Sequence, residues 1–193
     1  MYTHAHLRYA EALWHFGDAE GFFAALSKAV PIDLQSWVAP ATRRQANCYY
    51  SSSDAAFRDR YQANQEYDRA LSGAIPLEGG WRVYSSGAGI ATSLILRCLF
   101  GIRPSRQSVV IDPVLPPALD GLQISLDIAG NRFEITYQVG EKGCGPVALE
   151  LNEAPLPFNR LDNPYRAGGA EVSLTKLPPP EEGRVNRLRV QLG

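Results

Sequence analysis

The sequence is poor in cysteine, in methionine and in net charge, and it has no long apolar run. Three cysteines and one methionine occur in 193 residues. Cys48, Cys98 and Cys144 lie far apart and in no metal-ligand spacing, so neither a disulfide framework nor a zinc motif is written here. An odd, sparse set fits a reducing compartment, and the expected location is the cytoplasm. Nineteen basic residues against 20 acidic ones leave a formal charge of −1. A phosphate-backbone binder needs a basic excess or stripe, so no nucleic-acid partner is expected. The longest apolar stretch, residues 90–100, is broken by Thr92, Ser93 and Arg97. It is too short and too polar to cross a bilayer, and no membrane partner is expected. The N-terminal segment MYTHAHLRYAEALWHFGD lacks a basic region followed by an apolar one, so no signal peptide is expected.

What is present is a folded chain: 45% hydrophobic and 10% aromatic, long enough to bury a core without a disulfide or metal staple. Its character changes near residue 105. Before that point helical periods dominate. Leu7, Ala10 and Trp14 recur at spacings of three and four, with Leu13 and Phe16 widening the stripe, which predicts a helix over 3–16. Gly17 is its stop. Asp18 is placed to cap a second helix whose apolar set is Phe22, Phe23, Ala25, Leu26 and Ala29, ending at Pro31. A third helix is predicted over about 88–100, with Gly101 as a left-handed terminator. Between them, residues 31–87 read as a long polar, loop-rich stretch with one helical segment near 60–71. A stretch of that length is uncommon in a compact domain unless it serves a function.

After residue 105 the period becomes two. Residues 108–111 are β-rich and stop at Pro113. Leu122, Ile124, Leu126 and Ile128 alternate with polar residues, and Phe133, Ile135, Tyr137 and Val139 do so after a turn at Gly130-Asn131. Further short alternating segments lie at 147–151, 172–174 and 185–192. Short strands with Gly and Pro turns predict antiparallel β structure, most simply a sandwich. The fold class is α+β, with a helical part over 1–104 and an antiparallel β domain over 105–193.

Three groups of residues have the types that chemistry needs. His4 and His6 flank Ala5 near a helix start, where a spacing of two points the rings about 200° apart and prevents a shared metal. With no third ligand nearby, no metal site is expected. They read either as one surface and one packed histidine, or as a histidine donating to an anion where free helix N–H groups also point. Ser85-Ser86-Gly87-Ala88-Gly89 opens the third helix, and its small residues let backbone N–H groups approach an oxyanion. An ordinary helix start with close packing is the commoner outcome, and the Lys of a P-loop is missing. Asn47, Tyr49 and Tyr50, followed by Ser51, Ser52, Ser53 and Asp54, mix aromatic faces with hydroxyls, an amide and a carboxylate, as a sugar site does. A polar loop with tucked tyrosines explains it equally. Cys98 sits among apolar residues and reads as core. Asp54, Asp59 and Glu66 are acid–base candidates or merely solvated.

In order and spacing these stretches resemble the C-terminal part of glycoside hydrolase family ninety-four, the inverting β-glycoside phosphorylases. Tyr2-Thr3-His4-Ala5 is similar to the family's "YTHA/NHT" segment. The run from Gly80-Trp81 to Ser85-Ser86-Gly87-Ala88-Gly89 is similar to its "W-x-(S/T)G-x-A" helix start. Leu99-Phe100-Gly101-Ile102-Arg103-Pro104, with Ile111-Asp112-Pro113-Val114-Leu115-Pro116 after it, resembles "LGIRP…IDPCIP". The resemblance covers about residues 2–140. The Ser-Ser-Gly version and the stretch 47–60 look nearest to the cellobionic acid phosphorylase branch. The group also includes cellobiose phosphorylases and the C-terminal end of cyclic β-1,2-glucan synthases.

The resemblance implies that residues 1–104 are the last helices of an (α/α)6 barrel. It implies cleavage of a β-glucoside by phosphate, giving α-glucose 1-phosphate, with an Asp as general acid on the departing oxygen. Inorganic phosphate is then a co-substrate, and no other cofactor is implied. His4 matches the family's phosphate-binding His, and Ser85-Ser86 match its phosphate-binding Thr-Gly pair. Asn47, Tyr49 and Tyr50 would face sugar. No catalytic residue of this chain matches the family's general acid, so the expectation is a truncated or excised C-terminal piece, inactive alone. The alternative is a non-catalytic carbohydrate-binding or structural β module. An exposed apolar stripe over 3–29 would then drive self-association.

Overall fold

The computed structural model describes residues 3–29, 39, 42–43, 54–79, 85–181 and 183–193. Helix α1 (Thr3–Phe16) has the expected register: Leu7 and Ala10 are wholly buried and Trp14 nearly so. Gly17 ends it at φ 78°. The N–H groups of Gly17 and Asp18 return to the carbonyls of Trp14 and Leu13, each at 3.1 Å, closing a left-handed cap that a Cβ would strain. Asp18 then caps α2 (Ala19–Ala29), its Oδ1 accepting the Gly21 N–H at 2.9 Å. Phe22, Ala25, Leu26 and Ala29 are buried. Much of the apolar stripe over 3–29 is buried, and the large apolar side chains left exposed on α1 are Tyr9 and Phe16.

The chain divides into two compact units, one of residues Met1–Ala10 and Ala24–Ser93, the other of Glu11–Phe23 and Leu94–Gly193. In the first, three short strands form a small sheet where the sequence predicts loop. These are β1 (Thr42–Arg43), β2 (Asp54–Ala55) and β3 (Leu77–Gly79), in the order β1-β3-β2, with β1 parallel and β2 antiparallel to β3. The predicted helix near 60–71 is two pieces, α3 (Arg60–Gln65) and α4 (Asp68–Leu71). Asp59 caps α3 by accepting the N–H groups of Tyr61 and Gln62.

The third predicted helix begins slightly earlier than expected. A π-helical turn, Ser85–Gly89, leads into α5 (Ile90–Leu94), and a second π turn, Ile95–Leu99, completes it. Gly101, at φ 71°, ends the run, and a Cβ there would strike the backbone of Pro113. Glycine is thus required twice over, by its dihedral and by the close approach of another strand.

The second unit holds two sheets. In one, β4 (Ile102–Pro104), β5 (Ser108–Ile111), β10 (Asn159–Arg160) and β11 (Ala170–Ser173) lie in the order β10-β11-β5-β4, all antiparallel. In the other, β6 (Gln123–Ile128), β7 (Asn131–Gln138), β8 (Pro146–Leu151), β9 (Ala154–Pro155) and β12 (Val185–Leu192) lie in the order β6-β7-β12-β8-β9. The expected alternation is plain. Phe133, Ile135 and Tyr137 of β7 and Leu188, Val190 and Leu192 of β12 are buried, while their neighbours Glu134, Arg187 and Arg189 face out. One pairing departs from the all-antiparallel expectation: β7 and β12 run parallel over seven residue pairs. The long connection between them, through β8 to β11, supplies the crossover that parallel neighbours require. The hairpin turn joining β6 to β7 is Ala129-Gly130, both at positive φ, one residue earlier than the Gly130-Asn131 turn expected from sequence.

Candidate functional site

His4 lies in the first turn of α1 and is half-buried. Ser85 and Ser86 open the first π turn. These three belong to the same compact unit, together with the small sheet. Asn47, Tyr49 and Tyr50 lie outside the described residues. His6 plays a packing role, with its Nε2 2.7 Å from the Ala25 carbonyl in a bond that ties α1 to α2. Asp59 and Glu66, two of the acid–base candidates, are engaged structurally. Asp59 is the α3 cap, which holds its carboxyl below the usual range, first through the Gln62 N–H and then through Arg58. Glu66 pairs with Arg69 at 2.5 Å.

The most strongly built polar cluster is one that sequence reasoning left out. Asp112, between Ile111 and Pro113 at the end of β5, is almost wholly buried. Its carboxylate takes a two-pronged contact from Arg166, Nη1 to Oδ1 at 2.7 Å and Nη2 to Oδ2 at 3.2 Å, and a third contact from Arg103 Nη2 at 3.0 Å. The indole of Trp14 has both guanidiniums at 5.1 Å from its ring centroid. Trp14 Nε1 donates to the Asp112 carbonyl at 3.2 Å, and Arg166 Nε donates to the Trp14 carbonyl at 3.1 Å. Both carboxylate oxygens of Asp112 thus have cationic partners. A buried carboxylate survives desolvation only when paired in this way, and the ring face gives the second cation a further favourable contact. The arrangement leaves no free acid or base. What it does is fasten the last turn of α1 to strands β4 and β5 and to the loop carrying Arg166. The signal available in the sequence was a charged residue inside an apolar Ile-Asp-Pro run, which implies a partner without naming it.

Two buried thiols and a buried phenol lie elsewhere in this unit. Burial pushes the Cys98 thiol up to about 12, aided by the Glu11 charge and opposed by Arg103 and Arg97. Burial also raises Cys144, which Arg166 counteracts. Both cysteines are free thiols, and neither is poised as a nucleophile, since the thiolate is the reactive form. Tyr137 is wholly buried, which raises its phenol strongly, and its hydroxyl donates to the Phe100 carbonyl at 2.7 Å. That bond satisfies a carbonyl at the end of the π turn.

Comparison with known proteins places this unit. Residues 101–177 match the family model for the glycoside phosphorylase C-terminal domain. A 1,2-β-oligoglucan phosphorylase of Listeria innocua serovar 6a is 40% identical over 168 residues, 87% of this chain and 15% of that protein. Residues 101–177 thus belong to the glycoside phosphorylase C-terminal domain family, and the chain spans under a sixth of that curated relative's length. The Asp112–Arg103 contact falls inside the matched domain, as does Arg166. No helix among the described residues is long and apolar enough to cross a membrane.

Proposed function

We propose that this chain supplies the phosphate side of an inverting β-glycoside phosphorylase acting on a β-1,2-linked oligoglucan. The observation that carries the reading is the identity to a 1,2-β-oligoglucan phosphorylase over 87% of the chain. The linkage comes from that relative's name and replaces the cellobionic acid branch as the favoured substrate class. In the reaction a phosphate oxygen bonds to the anomeric carbon as the bond to the departing sugar oxygen breaks. A carboxylic acid protonates that oxygen, and inversion gives α-glucose 1-phosphate with the shortened glucan.

His4 would donate from its imidazole to the phosphate, and the opening N–H groups at Ser85 and Ser86 would take the remaining oxygens, an arrangement of charge-assisted hydrogen bonds. Asn47, Tyr49 and Tyr50 would meet the sugar. No residue of this chain is assigned the role of general acid, so the 193 residues alone are inactive in phosphorolysis. The helical part belongs to an (α/α)6 barrel in this reading, and the free thiols of Cys98 and Cys144 support a cytoplasmic location. Self-association would use the exposed Tyr9 and Phe16 of α1.

The test is a titration of the chain with inorganic phosphate, followed by phosphorus NMR, alongside an assay for α-glucose 1-phosphate release from β-1,2-glucan. Phosphate binding that His4→Ala abolishes, with no release of sugar phosphate, is the expected result. Phosphorolysis by the isolated chain, or phosphate binding indifferent to His4, overturns the reading.

A further inference from the structure

The outward face of the five-stranded sheet carries a trough of about 420 Å³, within the ~300–1,000 Å³ typical of ligand sites. A second hollow of about 380 Å³ adjoins it, sharing Glu134, Glu153 and Arg187. Strand register lays the lining residues in two rows across the strands. Ser125 faces Glu134, which faces Arg187; Gln123 faces Thr136, which faces Arg189, which faces Glu150. Within the rows Arg189 Nη1 lies 2.6 Å from Glu150 Oε2, and Arg187 Nε lies 3.8 Å from Glu134 Oε2.

These pairs are exposed, and exposed pairs add little to stability. Their effect is to hold planar guanidinium and carboxylate groups side by side, each keeping unused donors or acceptors toward solvent. The lining has three carboxylates against two guanidiniums, so it offers no field for a polyanion or a polycation. Its outward-facing side chains are polar or charged, with Val185 of the adjoining hollow the apolar exception, so the face does not suit a membrane surface or an apolar helix. A near-neutral surface with closely spaced donors and acceptors, running across several strands, suits a neutral chain rich in hydroxyls.

We propose that this face is a binding trough for a neutral oligosaccharide chain. That the chain is a β-linked glucan rests on the phosphorylase reading above. Hydroxyls would bridge successive Arg–Glu pairs, with Gln123, Ser125 and Thr136 taking the remaining bonds.

The experiment is nitrogen–proton NMR of the 193-residue chain, titrated separately with linear β-1,2-linked glucan oligosaccharides and with inorganic phosphate, in the parent and in Glu150→Ala/Arg189→Ala. The expected result is glucan-induced shifts at 123–125, 134–136, 150 and 187–189. The double variant, with an unchanged melting temperature, should bind about tenfold more weakly or worse, as for one or two lost charge-assisted hydrogen bonds. A sulfated polysaccharide should produce no shifts there. Phosphate binding without glucan shifts at this face defeats the trough and leaves the phosphorylase reading standing. Glucan shifts at this face without phosphate binding uphold the trough and count against that reading. Concentration-dependent sedimentation that the double variant abolishes, with no glucan shifts, overturns the trough in favour of a contact between copies of the chain.

Discussion

Arg166 Nη1 lies 2.7 Å from Asp112 Oδ1, joining residues 54 apart in sequence with both side chains almost wholly buried. Arg103 holds the same carboxylate, so Asp112 is the shared anion of two cations. Removing it leaves two guanidiniums beside Trp14 without their shared counter-ion. Asp112→Ala is expected to destabilise this unit by about 3–5 kcal/mol, the usual cost of orphaning buried charge. Urea unfolding followed by tryptophan fluorescence reads this directly, because Trp14 sits in the cluster. Arg103→Ala, at the more exposed contact, should cost clearly less.

Tyr137→Phe keeps the ring in the core and removes only the hydroxyl that bonds the Phe100 carbonyl. The expected loss is about 1–2 kcal/mol, a buried hydrogen bond plus the acceptor left unpaired. Thermal denaturation of the two proteins at one pH measures it. An unchanged midpoint would show that water replaces the phenol.

Gly101→Ala meets two obstacles, a positive φ and the backbone of Pro113. Gly121→Ala meets only the first, since nothing lies within 4 Å of its would-be Cβ. The control should cost about 1–2 kcal/mol, the left-handed penalty of an L-residue, and Gly101→Ala more than that. Equal losses would mean that the β4–β5 approach relaxes freely.

Cys98 gives the chain a pH dependence on the alkaline side. Its folded thiol titrates near 12, above the ordinary thiol range of about 8.5, so the native state keeps a proton the unfolded chain releases. The contribution is fully present below the unfolded value and is lost progressively as pH rises from there toward about 12. The expected slope is up to about 1.4 kcal/mol per pH unit in that window. Cys98→Ala should flatten the alkaline limb of a stability–pH curve, and a disulfide reagent should label native Cys98 much more slowly than the unfolded chain.

The parts legible from sequence were those decided by near neighbours. Gly17 and Asp18 stop one helix and cap the next within five residues of chain, and Gly101 closes the run from Ser85 by its own dihedral. The alternations of β6, β7 and β12 are likewise local, since each strand chooses a buried face by itself. What escaped is set at a distance. Parallel pairing of β7 with β12 depends on a partner some fifty residues away, and period-two patterning is the same for either direction. The Asp112 cluster draws Trp14, Arg103 and Arg166 from three separate segments, and each alone reads as an ordinary helix or surface residue. The short strands β1, β2 and β3 carry too few residues to show a period. Of the candidate site, His4 and the Ser85-Ser86 turn are proposed from resemblance and from helix-start chemistry.

A crystal structure of the chain grown with inorganic phosphate decides whether His4 and the Ser85-Ser86 turn hold one phosphate, as proposed above. The expected result is an anion about 3 Å from the His4 ring and from the backbone N–H groups of the Ser85-Ser86 turn, as hydrogen bonds to a single ion demand. A structure with His4 more than about 10 Å from Ser85 and Ser86 would contradict it, since no one phosphate can then bond both.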